Sequence, residues 1–164
     1  MAHQGVKVRH HVPVTRQTLA TWEPARFKEA CRRCGLTLQQ VAILMNIPYS
    51  AVRSYTATRG ASPTPGRFVA LARVVNAPTT DLAPLREACT LHELRWHAGL
   101  TVAELAQRVG YSISHTALVL SGVAMITEPK RWADALTTSQ RQVRIAWRAA
   151  RAETAARAGQ PEAT

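Results

Sequence analysis

Residues 35–60 read GLTLQQVAILMNIPYSAVRSYTATRG, and residues 99–122 read GLTVAELAQRVGYSISHTALVLSG. At an offset of 64, Gly35, Leu36, Thr37, Ala42 and Ser50 coincide with Gly99, Leu100, Thr101, Ala106 and Ser114. Leu38 and Val41 meet Val102 and Leu105, alike in character. Each segment carries the same punctuation: a Thr suited to cap a helix, apolar residues at three-to-four spacing, a short turn, and a second capped helix. Self-similarity at a fixed period marks a repeated supersecondary unit. Here the unit is a helix, a turn and a helix.

Helical signals continue outward on both sides. Thr21 reads as an N-cap with Pro24 in the first turn, Phe27, Ala30, Cys31 and Cys34 lie at three-to-four spacing, and Gly35 is the stop. Leu38, Val41, Ala42 and Met45 line the next helix, Asn46-Ile47-Pro48 is a turn, and Ser50 opens a helix with Val52 and Tyr55 inward. Thr64 and Pro65 begin a further helix whose core face is Phe68, Leu71, Ala72 and Val75. From Thr80-Asp81 to about residue 97 the pattern predicts one unbroken helix, with Pro84 in its first turn. Leu82, Leu85, Ala88, Cys89 and His92 then form a stripe toward the first repeat, and Leu91, Leu94, Arg95 and Ala98 one toward the second. After the second repeat, Pro129 starts a short helix to Leu136, and Thr138 or Ser139 caps a long helix to about Ala158.

Charge narrows the partners. The chain has 164 residues, a net charge of +11, and 21 basic residues of which only Lys7, Lys28 and Lys130 are Lys. Such an excess points to a polyanion, nucleic acid or an anionic membrane. Residues 1–82 carry net +8 and residues 83–164 net +3. The uncharged stretch Val109–Thr127 is broken by Ser, His, Thr and Gly, too polar for a lipid-facing span. No apolar leader with a cleavage site opens the chain, and three Cys do not make a disulfide framework, so a cytoplasmic setting is expected. Richness in Arg and Ala with few Lys suggests a GC-rich bacterial, phage or plasmid genome.

The Gly-Leu-Thr opening, a helix with Ala near its middle, a turn, and a second helix opening with Ser and ending near Gly resemble the λ-repressor-like, XRE/Cro-type helix-turn-helix proteins. Residues 55–65 resemble that family's loop to its fourth helix. The resemblance covers about residues 24–84 well and 86–137 less well. It implies two small helix-turn-helix bundles in tandem and binding to double-stranded DNA. The second helix of such a motif lies in the major groove.

Carried onto this chain, the resemblance makes Tyr49, Ser50, Ala51 and Arg53 the base readers of the first repeat. Arg53 leads, because a guanidinium bonds guanine O6 and N7 together. Gln39 and Gln40 are phosphate contacts, although Leu38 stands where the family commonly has Gln. Arg59 and Arg67 are phosphate contacts by position and charge. In the second repeat the groove positions are Ile113, Ser114, His115 and Ala117, with few donors, and Ala117 stands opposite Arg53. Lys130 is a further phosphate candidate. Arg141, Arg144, Arg148 and Arg151 share one face of the final helix and Val143, Trp147, Ala150 and Thr154 another. That helix packs against the second repeat, and its Arg face is either solvated or set against phosphate. Lys7 and Arg9 belong to a basic arm that is a plain tail or a minor-groove reader.

Other chemistry finds little support. Cys31-x-x-Cys34 and Cys89-x-x-His92 add up to four zinc ligands, but each pair falls inside a predicted helix rather than a knuckle. Ten scattered acids offer no catalytic pair, and no phosphate loop is present, so neither an enzyme nor a cofactor is expected. The expectation is therefore all-α: an arm (1–21), a first helix-turn-helix domain (22–84), a second, divergent one (85–137), and a basic C-terminal helix with a frayed tail (138–164). A continuous or near-continuous helix joins the two domains. The expected function is a sequence-specific DNA-binding transcriptional regulator, a repressor, with no membrane or small-molecule partner. The alternative is a module that uses the same scaffold to hold another protein, such as a polymerase subunit or a toxin. Oligomeric state is left open, since one chain with two different readers suffices for an asymmetric site.

Overall fold

A computed structural model describes residues 18–58 and 60–159 of the chain. Lys7, Arg9, Arg59 and the tail 160–164 lie outside the described residues. The chain is all-α over the described residues, without a strand among them. The first helices are α1 (Pro24–Arg33), α2 (Leu38–Met45), α3 (Tyr49–Thr56), α4 (Pro65–Val74) and α5 (Thr79–Leu82). The later ones are α6 (Leu91–His97), α7 (Val102–Val109), α8 (Ile113–Leu120), α9 (Pro129–Leu136) and α10 (Gln140–Ala158).

The helix boundaries of the two repeats recur in register. Both ends of α2 and α3 are matched, 64 residues later, by both ends of α7 and α8. Local chemistry explains the match. Thr37 and Thr101 each form a capping box, with Gln40 and Glu104 closing the loop back to the cap N–H. Asn46 and Gly110 then end their helices in the left-handed region, at φ 50° and 75°. The register also runs past the quoted segments. Pro65 and Pro129, again 64 apart, each open the following helix, and α1 and α6 end at the equivalent residues Arg33 and His97.

Burial repeats with the helices. Phe27, Val41, Ala42 and Phe68 lie in the core of the first repeat, and their equivalents Leu91, Leu105, Ala106 and Trp132 are buried in the second. Three equivalents change character while staying buried. Thr116 takes the place of Val52, Leu120 that of Thr56, and Arg95 that of Cys31. The Arg95 guanidinium sits 5.2 Å from the Trp96 ring centre and donates to the Leu100 carbonyl at 2.6 Å. Burial lowers its pKa to about 10.

Four expectations are corrected. Ser50 does not open α3, which starts at Tyr49 with Pro48 at the N-cap position and no side-chain cap. Thr21 does not cap α1; Glu23 occupies that position. The unbroken helix over 81–97 does not form. Because α5 starts at Thr79, Pro84 falls on what would be the sixth helical residue, where its missing N–H would leave a carbonyl unpaired. Ala83 takes the extended conformation favoured before proline, at φ −144° and ψ 100°, and α5 ends. The chain then crosses Ala83–Thr90 without a helix until Thr90 and Glu93 form a new capping box. Leu85 and Ala88, expected in the buried stripe, are exposed.

That connection is nevertheless fastened. Arg86 Nε donates to Glu93 at 2.8 Å and its Nη2 to Glu153 of α10 at 3.2 Å. Glu93, itself buried, also accepts the Thr90 N–H at 2.6 Å. The two hydrophobic clusters meet at α6. Leu91 and Leu94 belong to the second cluster, whereas Trp96 is buried in the first. The Trp96 Nε1–H donates to the Pro63 carbonyl at 3.1 Å, and His97 Nδ1 lies 2.9 Å from Thr79 Oγ1. At the other end α10 presses on the close of α8. A Cβ on Gly122 would come within 2.4 Å of the Arg151 backbone, and Gly122 stands at φ +75°, so no other residue fits there.

Candidate nucleic-acid interface

The first repeat gathers its candidate residues around α3. Val52 and Tyr55 are buried, which turns the opposite side of the helix outward. Tyr49, Ser50 and Arg53 are exposed there and Ala51 is half-buried. Tyr49 shares a cleft of about 670 Å³ with Gln39 of α2, closed at the turn by Ile47 and Pro48. Arg67, at the start of α4, donates from Nη1 to the Tyr55 hydroxyl at 3.2 Å, which ties that cation to the inner side of α3. Gln40 is exposed, but its Oε1 accepts the Thr37 N–H at 2.8 Å, so one end of its amide is spent on the helix cap. Tyr49, Ser50 and Arg53 thus share the outer side of α3, with Gln39 beside Tyr49, whereas Arg67 is held at its inner side.

The second repeat builds the same frame with different chemistry. Ile113, Ser114 and Ala117 are exposed on α8. His115 is half-buried and meets the Tyr111 ring edge-on at 5.0 Å, so part of its surface is already used. Lys130 is exposed, while its neighbour Arg131 pairs with Glu128 at 3.2 Å. Glu128 also accepts from the Tyr111 hydroxyl at 3.1 Å, so an acid stands at the position of Thr64. Sequence inspection missed that acid, although it is visible once the offset of 64 is carried beyond residue 122.

Arg141, Arg144, Arg148 and Arg151 are all exposed along α10, opposite the buried Val143, Ala146 and Ala150. Arg151 lies over the Trp147 ring at 5.4 Å. Trp147 donates to the Ala124 carbonyl at 2.9 Å and Thr154 to the Ser121 carbonyl at 2.6 Å, fixing α10 on the second repeat.

The cysteine pairs do not converge. Cys31 belongs to the first cluster and Cys89 to the second. Burial pushes the Cys31 thiol up to about 11, and Cys34 nearby pushes it the same way. Cys34 donates to the Val75 carbonyl at 2.7 Å, and Cys89 accepts from Gln142 at 3.1 Å. Among the described residues no helix is long and apolar enough to cross a membrane. No family model, curated protein or solved structure matches this chain.

Proposed function

We propose that the chain is a sequence-specific regulator that binds double-stranded DNA through two tandem helix-turn-helix units of the λ-repressor-like type. The first unit is the main reader. One observation carries the reading: the helix, three-residue turn and helix recur at an offset of 64, and the first copy presents Tyr49, Ser50 and Arg53 outward on its second helix. A basic chain of net +11 supplies the long-range attraction.

The mechanism follows from the residues. α3 enters the major groove by its N-terminal half. Arg53 donates two parallel N–H groups to a guanine, and Ser50 and Tyr49 contact neighbouring bases. Gln39 and Arg67 hold the flanking phosphates and fix the register. α8 contributes less sequence information, because it offers Ile113 and Ala117 where α3 offers Tyr49 and Arg53. Occupying an operator in this way represses transcription from it.

Titration of random duplex DNA against salt tests the reading, followed by selection from a pool of random duplexes. A groove reader loses affinity steeply as salt rises and enriches a motif. A chain that binds no duplex at low salt refutes the proposal and leaves the protein-holding module.

A further inference from the structure

A cavity of about 610 Å³ opens where the two repeats meet. On one side it is lined by Ser54 and Tyr55 of α3 and by Arg67 in the first turn of α4. On the other side stand Arg95 and Trp96 of α6 and Val102 of α7. Hydrogen bonds hold these walls in place. Trp96 is tied to the Pro63 carbonyl at 3.1 Å, and Arg67 to the Tyr55 hydroxyl at 3.2 Å. Ser62, on the loop between them, accepts the Leu19 N–H at 2.9 Å. The volume falls within the roughly 300–1,000 Å³ of small-molecule sites, which gather where packed units meet.

The lining is unbalanced in charge. It carries two guanidiniums, those of Arg67 and Arg95, and no Asp or Glu among the described residues. The sequence keeps acids away from this part of the first repeat, since none occurs between Glu29 and Asp81. Glu104, on the helix that starts at Val102, serves its own cap by accepting the Thr101 N–H at 2.7 Å. Arg67 is exposed and Arg95 is 2% exposed, so one cation stands at the rim and one in the wall. Arg95 stays charged at neutral pH, with its pKa near 10. A buried cation carries a desolvation cost. The first repeat fills the same position with Cys31 and avoids that cost, so the helical frame does not itself require an Arg there.

The chemistry of the walls selects the ligand. Two cations and no acid disfavour a metal ion or a polyamine. The rings of Tyr55 and Trp96, with Pro63, Pro65 and Val102, make most of the remaining lining apolar, which disfavours a polyphosphate. A flat apolar body with one carboxylate meets both demands. Guanidinium forks match a carboxylate, and aromatic walls match a ring. We propose that this cavity binds a small aromatic carboxylate, with its anionic group toward Arg67 and Arg95 and its ring toward Tyr55 and Trp96. Binding itself does not depend on DNA. Its regulatory consequence rests on the DNA reading above: Arg67 is a phosphate contact there, so ligand and duplex compete for one guanidinium, and the ligand releases DNA.

Calorimetric titration of the full chain with benzoate, 2-naphthoate and indole-3-acetate tests the site without DNA. At least one is expected to bind one to one, and its neutral amide roughly tenfold or more weakly, because a charge-assisted hydrogen bond is lost. Ser54→Leu fills the cavity and is expected to abolish binding with helical circular dichroism unchanged, since the second repeat carries Leu118 at that position of its own helix. If that variant loses helicity, Arg67→Gln, at an exposed side chain, replaces it and should weaken binding roughly tenfold. The proposal is overturned if none of the three carboxylates binds, if the amide binds as well as its acid, or if the folded variants bind like the parent. Duplex titration with and without the bound carboxylate then separates the two readings. Weaker duplex binding in its presence supports release. A chain that binds the carboxylate and no duplex keeps the site and refutes the DNA reading. A chain that binds both with no mutual effect overturns the release.

Discussion

The indole N–H of Trp96 donates to the carbonyl of Pro63 at 3.1 Å, across the boundary between the two repeats. Trp96 also helps to close its own helix, its carbonyl accepting the Gly99 N–H at 2.9 Å. It lies on α6, the opening helix of the second repeat, yet it is buried among Phe27, Phe68 and Leu82 of the first cluster. The repeats are therefore coupled by packed side chains of α6, Trp96 and His97, rather than by a shared helix.

Trp96→Ala should cost about 3–5 kcal/mol, because it removes a large buried ring and its hydrogen bond. Thermal unfolding followed by calorimetry should then resolve two transitions where the parent chain shows one. Four Gly/Ser residues inserted between Glu87 and Ala88, in the exposed part of the connection, should be tolerated far better. Lengthening a loop costs only about 0.6 kcal/mol per doubling. If the insertion destabilises as much as Trp96→Ala, the connection and not the packed interface is the coupling element.

Thr116→Val should stabilise the chain by about 1 kcal/mol. Thr116 is buried at the position of Val52, and among the described residues its Oγ1 has no hydrogen-bond partner. A buried hydroxyl without a partner carries its desolvation cost uncompensated, and Val has nearly the same shape. Denaturant titration checks it: a midpoint that falls would mean that the hydroxyl is satisfied in solution.

How far the sequence spoke depends on the kind of signal. Caps and turns are local, so Thr37, Thr101, Asn46 and Gly110 announced the bounds of both helix-turn-helix segments. The extension to α1, α4, α6 and α9 was also written there, in Pro65 and Pro129, but a comparison ending at residues 60 and 122 passes over it. The unbroken helix failed on a shift of one or two residues at its start, which moved Pro84 out of the first turn. The place of Trp96 was not legible for a different reason. Helical spacing tells which side of α6 is apolar, not which of two cores that side enters. The exposure of Ile43, Leu44, Leu118 and Met125 was hidden likewise, because an apolar residue on a short helix reads as core until its neighbours are placed. For the reader residues, the sequence supplied the positions by resemblance, and the structure adds that Arg53 is exposed while Gln40 is occupied by its own cap.

Arg53→Ala should lower affinity for the selected duplex by about 1–3 kcal/mol and relax preference at one base position. Arg67→Ala should weaken all duplexes alike and flatten the salt dependence by about one ion, as loss of a phosphate contact does. Ile113→Ala should change the selected motif less than Arg53→Ala. The full chain is the right material, since a cut near residue 84 would remove Trp96 from the first core. A motif unaltered by Arg53→Ala would mean that α3 enters the groove in another register.

Stability should fall as pH drops from about 6.5 toward 4, and His92 should be the main cause. Burial lowers its pKa from 6.5 to about 4, and the charges of Arg95 and Arg157 push it the same way. Its Nδ1 is buried without a hydrogen-bond partner among the described residues. The folded pKa lies below the unfolded one, so the unfolded chain takes up the proton first. The contribution is complete above the unfolded value and is lost as pH falls through the interval to the folded value. A difference of that size between the folded and unfolded pKa corresponds to a loss of about 3 kcal/mol. The pKa of His97 is lowered as well, chiefly by burial, which steepens the slope. Glu104 is held below its ordinary value by the backbone N–H and hydroxyl of Thr101, so it remains charged through the upper part of this window. Chemical denaturation between pH 7 and 5 therefore isolates the histidines. His92→Gln should flatten the slope over that range, and His92→Gln with His97→Gln should nearly abolish it. An equal slope in the double variant would place the acid sensitivity in the carboxylates instead.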